Sequence, residues 1–66
     1  MKQIMYVKLE QSYVYTVYEN HPNDETTNYM ICFDGKPIDF VDNLTKAFET
    51  IYMLVKISKR EIVEIR

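Results

Sequence analysis

Apolar and polar residues alternate along residues 4–18. Met5, Val7, Leu9, Tyr13, Tyr15 and Val17 occupy odd positions, while Lys8, Glu10, Ser12 and Thr16 occupy even ones. Strand side chains point alternately to two faces, so this period of two predicts extended backbone with one apolar face. Ile4, Tyr6, Val14 and Tyr18 interrupt the polar series, which makes the second face more apolar than a solvated one. The alternation passes through Glu10-Gln11-Ser12 without Gly or Pro. It admits one long strand, with a bulge, or two shorter ones. Asn20-His21-Pro22-Asn23-Asp24-Glu25 reads as a turn cluster. Alternation resumes at Thr27, Tyr29, Ile31 and Phe33, and Asp34-Gly35 with Lys36-Pro37 reads as a stop.

The period then changes. Phe40, Leu44, Ala47, Phe48, Ile51, Leu54 and Val55 follow helical spacing and form an amphipathic stripe. Asp39 is the expected N-cap, with Asp42 in the first turn complementing the helix dipole. Ser58-Lys59-Arg60 ends the helix, and Glu61–Ile65 reads as a short final strand. The expected fold class is α+β. It is a three-stranded, mostly antiparallel sheet in the order strand, strand, helix, strand, with one long helix on one face. The final strand would lie antiparallel to the first, with sheet order 2-1-3. The uncovered face would present Tyr6, Val14, Tyr18, Met30 and Cys32, and exposed patches of this kind mark interfaces.

Length adds a constraint. Residues 1–66 make a single small domain, whose core is marginal for its surface. Small domains rely on disulfides, a metal or a partner. Cys32 is the single cysteine and His21 the single histidine, so neither an internal disulfide nor a zinc set can form from them. A second copy or a target protein is the expected staple, and a homodimer is predicted. No cofactor or metal is expected. No apolar run approaches the ~18 residues of a membrane span, and Lys8 and Glu10 interrupt any signal-peptide core. The expected setting is cytoplasmic and reduced.

The net charge of −2 conceals a pattern. Residues 10–49 carry −6, and the flanking segments carry +2 each. Nucleic-acid binders cluster Lys and Arg to displace phosphate counterions. Here the cluster is limited to Lys56, Lys59 and Arg60, which also suit a helix C-terminus. Catalysis finds no support in spacing: there is no Cys–His pairing, phosphate loop or metal-ligand run. His21 and Cys32 are expected to be dispensable for binding. Six tyrosines and four methionines suit both a core and an adaptable interface.

Ser12-Tyr13 opening a strand, the Tyr-rich strand around Tyr29, and Gly35-Lys36 leading to Asp39-Phe40 carry a resemblance. Over roughly residues 12–66 the chain resembles the very small dimeric uracil-DNA glycosylase inhibitors of Bacillus phages. The resemblance implies a non-enzymatic DNA mimic, acting in the host cytoplasm, that occupies the DNA-binding groove of its target. Phe40 would wall a hydrophobic pocket for the enzyme's intercalating leucine, and Asp39 and Asp42 would stand in for phosphates. Tyr13 and Tyr29 would complete the partner-binding surface. Val41 stands where the family has an acid. Three other readings remain: another anti-defence inhibitor, for example of a CRISPR nuclease; a small nucleic-acid-binding regulator; and a structural accessory of a larger complex.

Overall fold

The computed structural model describes residues 1–23 and 26–66. Its elements are β1 (Lys2–Leu9), β2 (Val14–Asn23), β3 (Thr26–Phe33), β4 (Lys36–Val41), α1 (Leu44–Ser58) and β5 (Ile62–Ile65). They form one sheet in the order β4-β3-β2-β1-β5, with each neighbouring pair antiparallel. The fold is α+β with one helix, but the three-stranded sheet expected from sequence is wrong. Five strands are present.

Two local features account for the difference. The stretch 4–18 is two strands, because a 3-10 turn at Glu10–Ser12 reverses the chain between them. Gln11 and Ser12 both adopt φ of 66°, a region that usually selects Gly or Asn. The second feature is β4. Asp34 and Gly35, with φ of 49° and 84°, make a two-residue hairpin rather than a stop. Pro37 is tolerated because β4 is an edge strand with a register shift beside it. Asn20, His21, Pro22 and Asn23, expected in a turn, instead continue β2. Asp24 and Glu25 lie outside the described residues.

The helix boundary also moves. Phe40 and Asp39 belong to β4, and α1 begins at Leu44. Its N-cap is Asn43, whose Oδ1 accepts from the Lys46 N–H at 2.8 Å. Lys59 ends the helix with a left-handed φ of 59°, its N–H donating to the Lys56 carbonyl. The amphipathic stripe holds in part, since its members Leu44 and Phe48 are exposed. Ala47 and Ile51 are buried, and Leu54 and Val55 are half-buried.

The odd-position faces of β1 and β2 pack beneath α1 as the alternation requires. Val7, Leu9, Tyr15, Val17, Ile31, Ala47 and Ile51 form the core. Cross-strand pairs Val7–Tyr15, Met5–Val17 and Val17–Ile31 hold these side chains in rows. The helix lies closest to β3 and β4, and β5 at the opposite edge of the sheet is exposed throughout.

The cap assignment is testable. Asn43→Ala should lower unfolding free energy by about 1 kcal/mol in urea titration, as loss of an N-cap does. Asp39→Ala should cost less than half of that.

Candidate interaction surfaces

The residues singled out from sequence do not converge. Phe40 lies 56 % exposed on β4, opposite Met30, which is itself opposite Tyr18. Directly paired residues share a face, so these three form a row on the sheet surface away from α1. Cys32, Thr16 and Tyr6 form the neighbouring row. The Arg66 guanidinium lies 4.0 Å from the Tyr6 ring and covers its end. Cys32 and Thr16 are buried although they lie on the face away from α1. Tyr29 points to the opposite face and packs against the core.

The acids beside Phe40 are differently engaged. Asp39 is exposed, and its Oδ1 accepts from the Phe40 N–H at 2.8 Å. Asp42 Oδ1 lies 3.1 Å from Lys46 Nζ, one helical turn ahead. Both side chains are well exposed, so that pair contributes little to stability but offsets part of the Asp42 charge.

Tyr13 sits at the pole of the sheet where three connections meet. It stacks on Phe33 with ring centroids 5.7 Å apart, and Phe33 contacts Tyr15 at 4.8 Å. The Arg60 guanidinium lies 4.2 Å above the Tyr13 ring and donates from Nε to Gln11 Oε1 at 3.1 Å. The Glu61 N–H donates to Glu10 Oε1 at 2.7 Å, and the Glu10 N–H to the Glu61 carbonyl. Asp34 Oδ1 accepts from the Val14 N–H. Arg60 is therefore held in structure, and the basic group Lys56, Lys59 and Arg60 is not presented as one free patch. Burial pushes the Tyr15 phenol above its usual pKa. Arg60 opposes that rise, and Asp34 adds to it.

His21 joins an exposed polar chain. Its Nε2 lies 2.7 Å from Glu19 Oε1, and Thr27 Oγ1 lies 3.0 Å from its Nδ1. The order carboxylate, imidazole, hydroxyl is that of an activated nucleophile. Nothing here excludes water: His21 and Thr27 are exposed, and the grooves of this surface lie along α1 instead. Among the described residues, no three His, Cys, Asp or Glu side chains gather as a metal site. No helix among them is long and apolar enough to cross a membrane.

A surface absent from the sequence reading lies on the outer side of α1. Tyr52, Met53 and Ile57 stand outside the core stripe and are exposed, and β5 adds Ile62, Val63 and Ile65. The signal was present: α1 is apolar around much of its circumference, which a helix with one buried face does not need. Compared with known protein families, curated proteins and solved structures, the chain matches none.

The Tyr15 environment gives a pH prediction. A phenol whose folded pKa is raised is protonated more readily in the fold, so the unfolded chain loses its proton first as pH rises. Its contribution is complete below the unfolded value of about 10 and is lost as pH climbs through the folded value. Denaturation midpoints should fall above about pH 10. Tyr15→Phe should flatten that alkaline fall.

Proposed function

We propose that this chain is a non-catalytic inhibitor that binds a DNA-processing enzyme by occupying its DNA-binding groove. Uracil-DNA glycosylase is the target indicated by the resemblance. The observation that supports the reading is Phe40: a large aromatic side chain on an edge strand, more than half exposed, beside Met30 and flanked in sequence by Asp39 and Asp42. A solvated edge strand gains nothing from such a residue, whereas aromatic anchors dominate binding energy at interfaces. Exposed Asp39 and Asp42 add negative charge of the kind that steers encounter with a phosphate-binding groove. The site differs from the one expected at a helix start. Phe40 is displayed by the sheet, and Tyr13 and Tyr29 belong to packing rather than to this surface.

The reading places the action in the cytoplasm of the host cell, where free, buried Cys32 stays reduced. A nucleic-acid-binding regulator is less well supported, since Arg60 is engaged by Tyr13 and Gln11.

Stoichiometric protein should abolish uracil excision from DNA, and rising DNA concentration should relieve the inhibition. Phe40→Ala should raise the inhibition constant at least about thirtyfold. Its circular dichroism should remain unchanged, because Phe40 is not part of the core. Undiminished excision with folded protein in large excess would remove the glycosylase as target. Inhibition unaffected by Phe40→Ala would remove this surface.

A further inference from the structure

β5 is the last strand of the sheet, and its residues are all exposed. The Arg66 N–H and C=O both bond the Tyr6 backbone, at 2.9 Å each. Backbone groups of a strand point alternately to its two sides, so the N–H and C=O of Ile65 point away from β1. The Glu61 carbonyl accepts from the Glu10 N–H, which turns the Ile62 carbonyl outward in the same way. Among the described residues no further strand lies there to receive these groups. The opposite edge is guarded, because Pro37 of β4 has no N–H to offer.

A groove of about 460 Å³ runs beside the open edge. Ile65 lies opposite buried Val7, so both face the α1 side of the sheet. Ile62 and Ile65 line the groove from the sheet, and Phe48, Tyr52 and Lys56 line it from the helix. Lys56 supplies the charge in an otherwise uncharged lining. It is exposed and has no ion-pair partner among the described residues. Outward backbone groups select an extended chain, the groove selects apolar side chains on one of its faces, and Lys56 selects a carboxylate among them. A second copy of β5 does not meet these terms. Its Glu64 lies opposite Lys8, on the face away from α1, and would leave Lys56 unpaired.

We propose that β5 takes up an extended segment of a partner protein as an added strand, with alternate apolar side chains seated in the groove and a carboxylate on Lys56. β5 is short, so its backbone offers few bonds and the groove contributes much of the affinity. The Phe40 surface belongs to the opposite edge of the sheet, so this site does not rest on the inhibitor reading.

The probe is a labelled synthetic peptide of about eight residues, with Val at alternate positions, one of them replaced by Glu, and Thr between. Fluorescence anisotropy should show saturable binding to the full chain. Methylating the peptide's amide nitrogens at one set of alternate positions should abolish binding, and at the other set should leave it. Only one edge of an added strand faces β5. Ile65→Pro should keep the circular dichroism, since the N–H it removes points to solvent, and should weaken binding at least about tenfold. Lys56→Glu should weaken it about fivefold, and a peptide with Lys in place of Glu should recover the loss. If Ile65→Pro disturbs folding, the methylated peptides decide alone. No binding at about 1 mM peptide overturns the proposal. Equal effects of the two methylations also overturn it, and leave the groove as a site for apolar side chains without strand addition. A doubled mass without peptide, returned to 8.0 kDa by Ile65→Pro, would make a second copy the occupant and overturn it too.

Discussion

Five antiparallel strands at about 4.8 Å spacing make a sheet about 20 Å across, while a helix with its side chains is about 10–12 Å wide. α1 sits toward β3 and β4 and buries Ala47 and Ile51 against the middle of the sheet. Its width cannot also close over β5, whose residues are all exposed. Ile62 and Ile65 are therefore left beside the open flank of α1, at Phe48 and Tyr52. The same shortage applies to the other face, where no second helix is available. There Thr16 and Cys32 are buried within the sheet, while Tyr6, Tyr18 and Met30 beside them are half-buried. The apolar surface of this protein follows from having one helix for five strands.

The sheet depends on a costly reversal at one pole. Two successive residues at positive φ cost on the order of 1 kcal/mol each for side chains other than Gly. Gln11 and Ser12 hold that conformation because the link between α1 and β5 returns to brace it. Arg60 bonds Gln11, the Glu61 backbone bonds Glu10, and Arg60 covers the Tyr13–Phe33 stack. The turn that creates β2 and the return that creates β5 are thus one structure. Contacts across about fifty residues fix both, which ties the strand number to completion of the fold.

The two exposed apolar regions differ in chemistry, and that separates their uses. Phe40 stands in a row with Met30 and Tyr18 on the sheet face away from α1, while Asp39 pairs with Ile31 and lies on the other face of β4. The α1 surface sets Glu49 and Lys56 among Phe48, Tyr52 and Met53. The edges follow the same division. β4 carries Lys36, Pro37 and Asp39, residues that discourage strand addition, whereas β5 offers Ile, Val and Ile.

Local periodicity determined which residues face the core. Met5, Val7, Leu9, Tyr15 and Val17 share a face because alternation by two requires it, and Ala47, Ile51, Leu54 and Val55 share one because helical spacing does. It could not determine strand number. Glu10-Gln11-Ser12 has no Gly or Asn for the positive φ at Gln11 and Ser12, and the braces that stabilise it come from Arg60 and Glu61, distant in sequence. Asp34-Gly35 signalled a turn, but whether a strand followed rested on β3 offering an edge that tolerates Pro37. Asp39 and Asn43 were both chemically able to cap a helix. Residues 36–41 pair with β3 as an edge strand, which leaves Asn43 as the cap. The candidate site moved for the same reason: Phe40 was a candidate in the sequence, but its display on an edge strand was decided by tertiary pairing alone.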